Sequence, residues 1–408
     1  MVRFDREKLG SILTSEYWLL ATLCGIFFFF FALNRGGYIV CIHASFVLLV
    51  LNAVYGKYSL KNIPLIYFLT AAICAVLIIA SYLVAPQTTH NRWIRNLGRM
   101  LIIIFAIQLF ARKHANEHIA NVVFIGIVLI SVCWQFGAVY FFRMPEGTFS
   151  NIHYLASFSV LTIPLIVYGI LLFPGWPKIV TMAILIMDIH LLLHTGSRPA
   201  IMGITAGSLF VLFFFSRGRL KWTGLTLIAL LGAFVYVTDY AGIGSRFGEL
   251  IVNLTREERV QFWSQAWQNL TQNSVLEWLF GHGIHRFPVS YVKDSSSAVE
   301  NYIFPHSHFL EILYLNGVVG ALLVFGGLAY VFIGLIRVAR QCPERQKGIL
   351  INCTLVIFLG WFIHSGLTFP FYSKYSVLPM AFILGAMLVL SGKPADEPGD
   401  ARSICLIR

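Results

Sequence analysis

Charge is scarce in this sequence. Only 12% of its 408 residues are Asp, Glu, Lys or Arg, while 58% are hydrophobic; a soluble protein carries about a quarter charged residues. That shortage excludes a globular chain wetted on all sides and points to a polytopic membrane protein. Metal-binding patterns are missing too. The seven cysteines (Cys24, Cys41, Cys74, Cys133, Cys342, Cys353, Cys405) form no CxxC pair and fall mostly inside apolar runs, so neither a zinc site nor a disulfide framework is expected. No Asp-x-Asp pair occurs among Asp5, Asp188, Asp239, Asp294, Asp396 and Asp400, so no metal ligand set is predicted. No small-residue cleavage site follows the first apolar run, Glu16 to Asn34, which reads as a retained helix rather than a removed signal. Cys405-Leu-Ile-Arg408 has the spacing of a prenylation box but ends in arginine, not a usual last residue there.

What the chain does have is long apolar runs. Twelve membrane segments are predicted near residues 16–34, 38–56, 63–85, 97–112, 118–140, 151–173, 176–194, 198–216, 221–238, 317–338, 348–367 and 375–392. The predicted organisation is nine segments within 1–238, a long loop at 239–316, three segments within 317–392 and a tail at 393–408. The net charge of +12 is spread through short loops, where Lys and Arg determine topology, so nucleic acid is not an expected partner. On this segmentation 18 of the 30 basic residues lie on the side of the termini, which the positive-inside rule makes cytoplasmic. The long loop is then external. The cluster Arg92, Arg95, Arg99 runs against the bias and is read as meeting anionic headgroups or substrate on the outer face.

Loops beyond about 15 residues are usually functional, so chemistry is sought in 239–316 and at the membrane lip beneath it. Thr255-Arg-Glu-Glu258 has capping-box spacing ahead of a helix whose apolar face is predicted as Val260, Trp263, Trp267 and Leu270. Three stations share the outer side: Thr195-Gly-Ser-Arg198, then Arg256 and Arg259, then His306 and His308. Arginine offers a charged planar fork that matches phosphate oxygens without a metal. Histidine can take a proton from a hydroxyl at neutral pH. On the residues alone, Arg198 as a headgroup anchor and the two histidines as helix caps remain alternatives. His190 and His194 lie one turn apart near Asp188, where Asp–His pairing or polar packing is favoured over a metal.

Five short elements occur in order: Arg143-x-x-x-Gly147-Thr-Phe-x-Asn151; Thr195-Gly-Ser-Arg198-Pro-Ala200; Arg259-x-x-x-Trp263; Gly281-x-Gly-x-x-x-Phe287; and His306-Ser-x-Phe-Leu-x-x-Leu-x-x-x-Gly317-x-x-Gly320. Together they resemble the signature of the O-antigen ligase and O-antigen polymerase superfamily, with Ser307 where those proteins commonly carry Asn. The resemblance implies an all-α polytopic fold of the GT-C-like glycosyltransferase kind. It implies His306 as catalytic base and Arg198 and Arg259 as pyrophosphate or acceptor contacts; Arg143, Arg256, His308 and Asn151 are further candidate substrate contacts, and no cofactor is expected. It further implies an undecaprenyl-pyrophosphate-linked glycan donor and a lipid A-core acceptor, joined with inversion on the periplasmic face of the inner membrane among its lipids. O-antigen polymerase and protein O-oligosaccharyltransferase are the neighbouring alternatives. A transporter or flippase is the alternative of another class, disfavoured by the lack of an internal repeat and by Asp188 as the only acid expected deep in a segment.

Overall fold

A computed structural model describes residues 16–30, 37–54, 91–112, 117–149, 151–216, 218–245, 258–283, 289–292, 299–302, 305–341 and 345–391, with isolated positions between 71 and 83 and at 248. The expected segment at 63–85 therefore lies largely outside the described residues, as do Arg256, the Thr255 capping position and the tail.

Thirteen helices are described: α1 (Glu16–Phe28), α2 (Gly37–Val54), α3 (Asn91–Arg112), α4 (Glu117–Tyr140), α5 (Ile152–Leu172), α6 (Trp176–His194), α7 (Arg198–Phe214), α8 (Gly218–Val237), α9 (Glu258–Thr271), α10 (Val275–Phe280), α11 (His308–Gln341), α12 (Arg345–Gly366) and α13 (Lys374–Ser391). Five stretches are long and apolar enough to cross a membrane: Asn121–Tyr140, Ile152–Leu172, Trp176–His194, His308–Gln341 and Gly348–Gly366. Gly37–Leu51, Arg198–Phe214 and Lys221–Val237 are shorter apolar helices. The long loop adds one departure from an all-helical chain, an antiparallel hairpin of β1 (Val289–Val292) and β2 (Val299–Tyr302) with Val289 opposite Tyr302.

Membrane helices associate through close backbone packing at small residues, and α7 and α12 meet in that way. A Cβ built on Gly203 would lie 2.7 Å from the Gly360 carbonyl oxygen, and one on Gly207 would lie 2.8 Å from that of Val356. Two glycines four residues apart thus let α7 lie directly on the α12 backbone. Gly203→Val should cost at least the roughly 1–3 kcal/mol of an overpacked core, seen as a lowered unfolding midpoint in detergent. Gly326→Ala, where nothing lies within 4 Å of an added Cβ, should leave the midpoint unchanged.

The same contacts set the register. α7 and α12 run antiparallel, and five residues back from Gly203 and five on from Gly360 bring Arg198 level with Ser365. At that end of the bundle Lys374, the first residue of α13, sits 5.4 Å from the Tyr38 ring and 4.8 Å from that of Tyr375. Tyr375 stacks on Tyr154 near the start of α5. Asn96 on α3 donates to the Tyr372 carbonyl at 3.0 Å and accepts from Arg99 at 3.3 Å. The Arg95–Arg99 region therefore shares an end with Arg198, as the external reading of that cluster requires.

Candidate active site

The described parts of 258–317, namely α9, α10 and the start of α11, form a lid at this end. α9 packs inward through Phe262, Ala266 and Leu270, all buried. Trp263 packs beside them, whereas Trp267 is 49% exposed and meets Trp278 edge to face at 6.3 Å. The inward stripe is thus rotated from the expected Val260–Trp263–Trp267–Leu270 face. Alanine at 266 allows close approach, while indoles suit the margin, where their N–H can find a partner. A capping box that the sequence reading did not name opens α10: the Ser274 amide donates to the Glu277 carboxylate at 2.8 Å, and the Glu277 amide donates back to Ser274 Oγ at 3.4 Å.

After α10 the chain crosses α11 backbone to backbone. The His282 and Gly283 amides donate to the Tyr314 and Leu315 carbonyls, each at 2.9 Å. Gly281 and Gly317 both have positive φ, 75° and 63°, and a Cβ on either would penetrate the other strand of chain. Only glycine suits both the space and the conformation. Gly317 also breaks α11 into a short first part and a long second part, so the segment expected to begin at 317 is preceded by a helical stretch from His308. The glycines of the Gly281 and Gly317 elements are accordingly a buckle that fixes the lid to the bundle.

His306 sits just before that short stretch, with φ 52°, a conformation adopted by only a few per cent of non-glycine residues. Its carbonyl accepts from Trp263 Nε1 at 3.4 Å, and its ring stacks on Phe262 with centroids 6.0 Å apart. Arg259 lies one turn before Trp263, so the R-x-x-x-W spacing directs both residues toward His306. Burial first, then the Arg259 charge and the His153 ring, lower the His306 pKa from 6.5 to about 4, while a hydrogen bond with the Thr368 backbone acts in the opposite sense. The ring is neutral at physiological pH.

Two further histidines complete the cluster, and neither was singled out from the sequence. His364, near the end of α12, donates from Nε2 to the His153 carbonyl at 3.3 Å and accepts from Thr368 Oγ1 at 3.4 Å. Both rings feel the Arg259 charge. The Nδ1 of His153 is buried without a hydrogen-bond partner, so one polar atom beside Arg259 and His306 keeps unused hydrogen-bonding capacity. His153 stands two residues beyond the last position of the Arg143–Asn151 element, which was the available signal.

The other expected site residues fall differently. Asn151 is the exposed N-cap of α5, its Oδ1 accepting from the His153 amide at 2.8 Å, so it shapes the turn that presents His153. Arg143 is exposed at the start of the same connection, with φ 53°. Arg198 opens α7 after a turn in which Thr195 Oγ1 accepts from the Ser197 amide at 3.2 Å. His308 departs from expectation: it is 4% exposed, and its ring is bonded to Ser376 Oγ at 3.1 Å and to the Phe369 backbone. Held on both sides, it is unavailable to substrate. Asp188 pairs with Ser159 at 2.7 Å and Thr162 at 2.5 Å rather than with a histidine, and His190 bonds Tyr240 at 2.6 Å. Asp188 is not the only buried acid, because Glu311 is 1% exposed. Among the described residues, no group of three His, Cys, Asp or Glu side chains could hold a metal ion.

Apolar helices long enough to span a bilayer, with imidazoles and arginine gathered at one end under a helical lid, define a multi-pass membrane protein with a polar site at its lip. Residues 180–325 match the family described as O-antigen ligase, a stretch that contains Arg198, Arg259 and His306. The match spans 146 of the 408 residues and supports a likeness to that family, and with it a ligase- or polymerase-type role in glycan assembly. No curated protein matches the chain.

Proposed function

We propose that the protein is an O-antigen ligase of the inner membrane. It moves a glycan from undecaprenyl pyrophosphate to a hydroxyl of lipid A-core on the periplasmic face, with inversion and without a metal. The observation that carries this is a neutral imidazole, His306, held beside Arg259 at the lip of the bundle, within the stretch that matches the ligase family. Twelve segments and cytoplasmic termini belong to this reading. Its support is that the ends of α2, α3, α5, α7, α12 and α13 lie together, as strict alternation across the membrane requires.

In this mechanism Arg259 and Arg198 bind the donor diphosphate, His153 Nδ1 hydrogen-bonds donor or acceptor, and the acceptor hydroxyl approaches His306. The hydroxyl oxygen attacks the anomeric carbon as its proton passes to His306. The carbon–oxygen bond to the diphosphate breaks, and the leaving group keeps its electron pair against the guanidinium forks. An imidazole with a pKa near 4 is a weak base, weakened first by burial and next by the Arg259 charge. A dianionic ligand paired with Arg259 offsets that charge and raises the basicity of His306, so the donor prepares the base. The acid limb of kcat/KM, which reports free enzyme, should therefore lie near pH 4, and that of kcat should lie higher. Coincident limbs near 6.5 would show an imidazole that is neither buried nor beside Arg259.

A deletion strain distinguishes the acceptors. Loss of a ligase leaves lipopolysaccharide core with no attached O-chain, whereas loss of a polymerase leaves core bearing one repeat. Gel analysis showing the second pattern transfers the assignment to polymerase.

A further inference from the structure

The first part of α11 carries three buried polar side chains that the proposed reaction leaves unused: His308, Glu311 and Asn316. All three grip one short segment, the turn from Gly366 to Ser373 and the start of α13. His308 bonds the Phe369 backbone and the Ser376 hydroxyl. Glu311 Oε2 accepts from the Phe371 amide at 2.8 Å. Asn316 Oδ1 accepts from the Tyr372 hydroxyl at 2.5 Å, and Asn96 of α3 holds the Tyr372 carbonyl from the other side. Trp361 and Ser365 of α12 both bond Ser376. The turn held in this way bonds His306 through the Thr368 backbone.

We propose that Glu311 and His308 are positioning residues, which act through the Gly366–Ser373 turn to seat His306 in its buried place against α9. The inference deepens the proposed mechanism and rests on His306 as its base. A side chain and a turn close in space but about 60 residues apart in sequence are here joined by one buried carboxyl oxygen accepting from a backbone amide. Removing the acceptor leaves that amide buried and unsatisfied, which disfavours the present turn. The groups facing His306 are Arg259, Phe262 and Trp263 from α9, His153 from α5 and Thr368 from the turn after α12, with His364 bonded behind them to His153 and Thr368. Loosening the turn admits water to the ring while leaving the Arg259 charge in place.

Glu311 Oε1 has no hydrogen-bond partner, so the Oε2 bond to Phe371 is the constraint the carboxyl supplies, and an amide can reproduce it. Glu311→Gln should keep the turn and retain nearly wild-type transfer. Glu311→Leu should speed hydrogen exchange across residues 366–373, lower kcat on the order of 10²-fold as a displaced catalytic group does, and move the acid limb of kcat/KM upward from about 4. Should Glu311→Leu fail to accumulate, Ser376→Ala, which removes the partner of His308, should give the same three changes more weakly. The proposal is overturned if Glu311→Gln is as impaired as Glu311→Leu, which would make the carboxyl itself a proton-transfer group. It is also overturned if exchange in 366–373 and the acid limb stay at wild-type values in a variant that has lost activity. Normal transfer by His306→Ala would instead remove the base reading, an outcome separate from the exchange measurement.

Discussion

His306→Ala is expected to insert and fold normally yet transfer glycan at about 10²–10⁴-fold below the wild-type rate, the usual contribution of a general base. Besides stacking on Phe262 the ring bonds the Thr368 backbone, while its carbonyl contact with Trp263 belongs to the backbone and survives substitution. Alanine tolerates the left-handed backbone at this position poorly. His306→Asn is therefore the companion variant, since asparagine adopts that conformation more readily and supplies no comparable base. The measurement is initial transfer with purified protein in nanodiscs, beside unfolding midpoints. Both variants should be inactive with midpoints near wild type, and transfer within a few-fold of wild type in either would show that another group takes the proton.

Arg259→Lys and Arg198→Lys should each lose about 2–5 kcal/mol of transition-state stabilisation, the cost of truncating one side of a desolvated charge pair, or roughly 30-fold to several thousand-fold in rate. Lysine keeps the charge but not the planar fork that grips two phosphate oxygens. The structure adds a distinction between the two sites. Arg259 also sets the proton affinity of His306, so Arg259→Gln should raise the acid limb of kcat/KM, while Arg259→Lys should leave it near its wild-type place. Arg198, which opens α7, should affect rate without moving that limb. Assays across donor concentrations, run in EDTA, also examine the metal-free mechanism: restoration of either variant, or of wild type, only by Mg²⁺ or Mn²⁺ contradicts the arginine clamp. A Lys variant with wild-type rate and donor dependence reduces its arginine to a headgroup anchor.

Much of the fold was legible because a membrane span announces itself by local composition. Eleven of the twelve expected segments coincide with described helices in whole or part. Errors arose where polar residues are buried. His308, Glu311 and Asn316 made the start of α11 resemble a loop, although each bonds a turn or helix start some 60 residues later within the bundle. Polar residues at the start of α3 likewise delayed its expected beginning from 91 to 97. The site was readable only where residues share a short element, as Arg259 and Trp263 do. His153 and His364 are brought together by helix packing across 211 residues, and no spacing rule reports such a meeting. The face of α9 was misjudged because tryptophan counts as apolar in a periodic pattern, while its indole N–H draws it to margins.

The buckle of Gly281 and Gly317 has a consequence for how this lid can diverge. Gly283 is tied to Leu315, and Pro305 is buried next to His306, so two pinned points flank the hairpin in the sequence. Lengthening a loop tethered at both ends is thermodynamically mild, about 0.6 kcal/mol for each doubling. The hairpin of Val289–Val292 and Val299–Tyr302 is therefore the place where insertions should be tolerated while His306 keeps its station.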